Sequence, residues 1–89
     1  MKYIEVTGKF QKVVHTGPTV FKFLFRDRVG DIYYMTLTKN FLDLRNKIED
    51  DKELRIKAIL KGYKKVRKHT LRYQNELGVL SIEEVKSNQ

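Results

Sequence analysis

The sequence predicts an all-β domain, a small five-stranded barrel with one short helix between the third and fourth strands. Three observations carry this. Apolar and polar residues alternate at period two through five segments, as half-buried strands require. Clusters of turn formers separate most of those segments, at His15-Thr16-Gly17-Pro18, Arg28-Val29-Gly30-Asp31 and Asn75-Glu76-Leu77-Gly78. A single stretch, Phe41 to Ile48, spaces its apolar residues as a helix does. At 89 residues there is room for one domain, and 40% hydrophobic content is enough for a packed core, so the 34% of charged residues reads as a dense surface and not as disorder. Residues 1–85 are expected to form the domain and residues 86–89 a frayed tail.

In the first strand, Lys2 to Val14, Ile4, Val6, Gly8 and Phe10 fall on one side and Tyr3, Glu5, Thr7, Lys9 and Gln11 on the other. Gly8 is expected to mark a bulge or tight bend, which lets a sheet curl into a barrel. The second strand, Thr19 to Asp27, sets Phe21, Phe23 and Phe25 on one face and Val20, Lys22, Leu24 and Arg26 on the other. Three phenylalanines at period two read as core and not as a base-stacking platform, because a domain this small needs the area they bury. Gly30 supplies the positive φ of the turn into the third strand, Asp31 to Lys39. Both faces of that strand are mixed, so its inward side stays open. Tyr33, Met35 and Leu37 are preferred as core, which leaves Tyr34 beside Lys22 or Arg26 on the outside.

Asn40 reads as an N-cap, followed by Phe41, Leu44 and Ile48 at helical spacing. Asp43 in the first turn and Arg45 and Lys47 beyond it suit the helix dipole. This short helix, about Phe41 to Ile48, is expected to plug one end of the sheet. Glu49 to Glu53 forms an acidic, solvated connector. The fourth strand then starts at Leu54, with Leu54, Ile56, Ala58 and Leu60 as core anchors and Gly62 expected to bend it across a barrel corner. Lys64 to Arg72 alternates weakly and reads as a partly mobile hairpin arm. Val79 to Val85 is the last strand, with Leu80 and Ile82 as its core positions.

The formal charge of +8 and pI of 9.8 are large for this length and point to a polyanionic partner. The charge is concentrated: Arg55, Lys57, Lys61, Lys64, Lys65, Arg67, Lys68 and Arg72 lie between Leu54 and Asn75 with no acid among them, whereas a surface selected for solubility mixes signs. A membrane surface would call for a basic amphipathic helix or a lipidation motif, and neither is present. With no cysteine, disulfides, thiolate metal sites and a cysteine nucleophile are excluded. The N-terminus lacks the apolar stretch of a signal peptide, and no segment approaches the ~18 apolar residues of a membrane span. A soluble, cytoplasmic protein is the expectation.

Strand, strand, strand, short helix, strand, strand is the layout of the OB-fold, a Greek-key barrel whose sheet face binds oligonucleotides. In that layout, and in Ile56-Lys57-Ala58-Ile59-Leu60-Lys61-Gly62-Tyr63-Lys64-Lys65 followed by Ser81-Ile82-Glu83-Glu84-Val85, the chain resembles OB-fold single-stranded DNA-binding proteins of the compact kind carried by phages and other mobile elements. It has no tryptophan, which these proteins often use for stacking, and no acidic partner-recruiting tail. The resemblance implies a groove of cations for phosphates and exposed π faces for bases. Lys22, Arg26, Arg55, Lys57, Lys61, Lys64, Lys65, Arg67, Lys68 and Arg72 are the candidates for the first, and Tyr63, Tyr73 and Tyr34 for the second.

Enzymatic readings find little support. His15 and His69 lie in different segments, and no carboxylate pair has metal-ligand spacing. Glu84-Val85-Lys86 has the Glu-x-Lys form of some nucleases but no partner aspartate. Ser81 has no histidine nearby and no nucleophile turn, and no glycine loop for phosphate is present. A binding module with no metal and no cofactor is expected, a sequence-tolerant single-stranded DNA binder in replication or recombination. The alternative is a small accessory subunit that docks on a polymerase, primase or helicase through exposed Val20, Leu24 and Ile59. RNA as ligand, an SH3-like barrel as fold, and assembly into an oligomer remain open.

Overall fold

The period-two segments form strands β1 (Lys2–Thr16), β2 (Val20–Asp27), β3 (Ile32–Thr38), β4 (Glu53–Arg67) and β5 (Thr70–Glu84). A computed structural model describes residues 2–67 and 70–86, and the side chains of residues 2–62 and 76–86. The strands close into a barrel in the order β1-β2-β3-β5-β4, with β4 returning to β1. All pairs are antiparallel except β3 with β5. With one short helix between β3 and β4, this is the OB-fold.

β1 changes partner halfway along, pairing with β4 over residues 2–9 and with β2 over residues 8–16. Gly8 belongs to both ladders, opposite Leu54 and opposite Asp27. A Cβ on Gly8 would stand 1.9 Å from the Arg26 carbonyl oxygen, so the residue is needed for close approach of two backbones. It does not form the expected bulge. The irregularities fall further on, where Gln11 and Val14 are skipped by the β1–β2 register.

The core is close to the one the alternation predicts. Phe23 and Phe25 are fully buried and Phe21 nearly so, together with Val6, Met35, Leu37, Leu54, Ile56 and Ala58. The Phe23 ring packs at 6.0 Å against both Phe10 and Phe21 in tilted geometry. β3 buries Met35 and Leu37, with Tyr33 half-buried and Tyr34 outside. Thr36, on the other alternation, is buried too.

Two expectations about β5 are corrected. Asn75 to Gly78 is not a turn, because β5 already begins at Thr70 and runs through it. Leu80 is not a core position: the β4–β5 register passes from Lys57–Ser81 to Ala58–Val79, leaving Leu80 as a bulge, so Val79 and Ile82 are the buried residues. Gly62 lies within β4 and pairs in register with Asn75.

The helix is a 3₁₀ helix over Lys39–Lys47, earlier than the expected start, and Thr38 rather than Asn40 occupies its N-cap without a side-chain bond. Asp43 therefore lies beyond the first turn. Phe41, Leu42, Leu44 and Ile48 lie half-buried against the barrel core, in the plugging role the spacing suggests. Glu53 belongs to β4 and not to the solvated connector.

Candidate nucleic-acid interface

Two structural units could meet a polyanion. The first is the far end of the β4–β5 hairpin, where residues 61–67 pair continuously with residues 70–76. This arm extends the molecule to 57 × 29 × 22 Å and a radius of gyration of 14.2 Å, against roughly 12 Å for a compact chain of this length. Its register sorts the basic run by face. Lys61–Glu76, Tyr63–Gln74, Lys65–Arg72 and Arg67–Thr70 alternate with Gly62–Asn75, Lys64–Tyr73 and Val66–Leu71. Lys65 and Arg72 are thus like charges directly opposed across a ladder, an arrangement that destabilises a bare sheet and that a bound anion relieves. The side chains of Tyr63, Lys64, Lys65, Arg67, Arg72 and Tyr73 lie outside the described set, and Lys68 lies outside the described residues altogether.

The second unit is the outer face of β2 and β3. Lys22, Leu24 and Arg26 face outward on β2 beside Ile32 and Tyr34 on β3. The Lys22 ammonium stands 5.8 Å from the centre of the Tyr34 ring, in the cation–π range. Tyr34 is 45% exposed and Ile32 51% exposed, so this aromatic face is open to a ligand. The sequence pattern misses one cation here. Strict alternation sends Lys12 inward, but the skipped Gln11 reverses the face, placing exposed Lys12 opposite Leu24. The break in alternation at Gln11-Lys12-Val13-Val14 is the signal that could have found it.

Arg55 and Lys57 are not part of either unit. They lie on the outer face of β1, β4 and β5, where Arg55 sits 3.5 Å from Glu5 and 3.9 Å from Glu83. Lys57 is opposite Glu5 in the ladder. The Arg55 charge is thus answered within the sheet. Val20, Leu24 and Ile59, expected to be exposed, are half-buried.

A groove of about 390 Å³ lies between the two units, lined by Ile4, Ile32, Tyr33, Tyr34, Leu60 and Leu77. It exists because β3 and β5 pair at Met35–Leu77 and Thr36–Gly78, while Ile32 to Tyr34 precede that contact. One wall is held rigid by the β2–β3 turn, with Gly30 at φ 101°. The Asp27 carboxylate there accepts hydrogen bonds from the Val29 amide at 3.1 Å, the Asp31 amide at 2.9 Å and the Tyr33 hydroxyl at 3.0 Å. Partial desolvation pushes the Asp27 carboxyl up, but the bonds from Asp31, Tyr33, Gly30 and Val29 outweigh it and hold the group below the usual carboxylate range. The same bond to Asp27, with desolvation behind it, raises the Tyr33 phenol. Arg28 reaches from this turn to grip Glu53 at the start of β4 through two hydrogen bonds, which lower the Glu53 carboxyl.

No protein-family model matches the sequence, and no curated protein matches it. Solved structures do match. The fold is similar to crystal structures of Rim1, a mitochondrial single-stranded DNA-binding protein from S. cerevisiae. One crystal form has a TM-score of 0.67 at 12% identity, covering 98% of this chain and 96% of that one. Another has a TM-score of 0.68 at 14% identity, covering 98% of each. At such identity the likeness concerns the course of the backbone, and side-chain roles have to be argued from this chain's own residues.

Proposed function

We propose that this chain is a sequence-tolerant single-stranded DNA-binding protein, acting without catalysis in replication or recombination, in the manner of the compact phage and mobile-element proteins it resembles. The observation that carries the proposal is the like-charged pair Lys65–Arg72 opposed in the register of the β4–β5 arm, on a barrel whose adjacent β2–β3 face presents Tyr34 and Lys22. Phosphates would relieve the repulsion along the arm and release condensed counterions as they bind. Bases would meet the open ring of Tyr34, with Tyr63 and Tyr73 of the arm as further candidates for the same role. Every base offers a π face, so such contacts tolerate most sequences. The OB-fold likeness to Rim1 supports the reading at the level of fold. Half-burial of Val20, Leu24 and Ile59 gives the accessory-subunit alternative less support than the single-strand reading.

The test is a salt series of equilibrium binding to oligo-dT, to a duplex and to an RNA strand of equal length. Oligo-dT is expected to bind tightest, with an affinity that falls log-linearly with salt. A duplex that binds as tightly as oligo-dT, or no binding to any strand at low salt, overturns the proposal. Preference for the RNA strand reassigns the ligand to RNA.

A further inference from the structure

We propose that the free edge of β1 from Phe10 to Thr16 takes an acidic, extended segment of another protein as an added strand. The inference is independent of the single-strand reading and concerns a part of the molecule outside the arm. β1 pairs with β4 only over residues 2–9, and from Phe10 on its described pairing is with β2 alone. Among the described elements, only β2 and β4 pack against β1. Residues 11–16 are exposed throughout, with Val13 at 45% and Val14 at 44%. An unpaired edge presents both backbone N–H and C=O groups, and an incoming strand satisfies both kinds, whereas a phosphate can only accept.

The register of β1 against β2 defines the chemistry such a segment needs. Val13 stands opposite buried Phe23 and so carries the apolar inner face beyond the barrel. Lys12 and His15 fall on the outer face, opposite Leu24 and Lys22. No Asp or Glu occurs from Val6 to Arg26, and among the described residues none of Lys12, His15 and Lys22 forms an ion pair. A strand whose side chains alternate between carboxylates and aliphatic groups complements both faces at once. A second copy of this strand would not, since its own acid-free run would set cation beside cation. Lysines and bulges are devices by which edge strands avoid pairing with their own kind, and here Lys12 lies between bulges at Gln11 and Val14. The lysine guards by charge, so it repels a like strand and admits an acidic one.

The probe is a capped peptide alternating valine and glutamate over about ten residues, which spans the edge at roughly 3.3 Å per residue. Wild type is expected to bind it, more weakly as salt rises. It should discriminate against two controls: the same peptide with its amides N-methylated, which cannot donate to the ladder, and a valine–lysine peptide. Amide exchange at residues 10–16 should slow when the peptide binds. Val13→Ala with Val14→Ala should lose roughly 2- to 30-fold on the peptide, from two cross-strand contacts, and should bind oligo-dT as wild type does. Both valines are nearly half exposed, so the fold should survive, and a thermal melt checks it. Val14→Ala alone serves if the double variant melts early. The inference is overturned if wild type does not bind the peptide, if either control peptide binds as tightly, or if the valine changes cost nothing. Dimerisation of wild type that the variant abolishes assigns the edge to a second copy and overturns it too. Failure to bind oligo-dT, with peptide binding intact, removes the single-strand reading and leaves this inference standing.

Discussion

The opposition of Lys65 and Arg72 gives the sharpest test of how the arm works. In an antiparallel ladder, directly opposed residues have Cα atoms roughly 4.5–5.5 Å apart, close enough for two cations to repel one another and for each to meet its own phosphate of one strand. Replacing both by alanine removes two phosphate contacts if the arm tracks the strand. At about 0.7 per contact for single strands, the slope of log K against log salt should become shallower by roughly 1.4. Between 50 and 200 mM salt, wild type would then lose roughly 7-fold more affinity than the variant does. The same change removes a like-charge pair, so thermal stability without DNA should hold or rise by a few tenths of a kcal/mol, within the roughly 0.2–1 kcal/mol of a cross-strand pair. Fluorescence anisotropy with labelled oligo-dT at four or five salt concentrations, beside a thermal melt, reads both quantities. A slope unchanged within error, with affinity lost equally at every salt, would refute the assignment of these residues to phosphates. A fall in stability would show that the pair supports the arm and does not strain it.

Two further outcomes concern the scaffold. Gly8→Ala places a Cβ 1.9 Å from the Arg26 carbonyl oxygen, and that obstacle is backbone and cannot swing aside. The cost should reach about 3 kcal/mol, at the upper end of overpacking, or a melting temperature lower by roughly 12 °C or more for a domain of this size; a drop of a few degrees would mean the two strands separate easily there. Asp27 has a folded-state pKa below its ordinary value, so the stability it contributes is present above the unfolded pKa of about 3.9 and is lost as pH falls through the folded one. Urea unfolding from pH 7 down to pH 2 should therefore show wild type weakening in acid, and Asp27→Asn should be less stable at pH 7 with a shallower decline below about pH 4. Parallel profiles for the two proteins would show that the turn does not depend on the carboxylate.

The residue pattern conveys well which strands exist and which faces are buried wherever the ladder is regular. Phe21, Phe23 and Phe25 read correctly because β2 is regular against β3, and Tyr34 falls beside Lys22 for the same reason. The pattern fails wherever a bulge inserts a residue, because one residue exchanges the two faces of everything after it. Such slips put Leu80 in the expected core and send Lys12 inward, and both depend on the partner strand, which alternation within one segment cannot report. Turn formers mislead in the same way. Asn75 and Gly78 lie inside β5, which already begins at Thr70, so these turn formers mark no chain reversal. In the basic run, register bears directly on function. Read along the sequence it divides at Gly62 into scaffold and arm, and neighbouring Lys64 and Lys65 look interchangeable. Read through the β4–β5 register, Lys64 shares its face with Val66, Leu71 and Tyr73, and Lys65 shares the other with Arg67 and Arg72. A phosphate track along one face must treat the two lysines differently, so Lys64→Ala and Lys65→Ala, made singly, measure which face of the arm the strand follows.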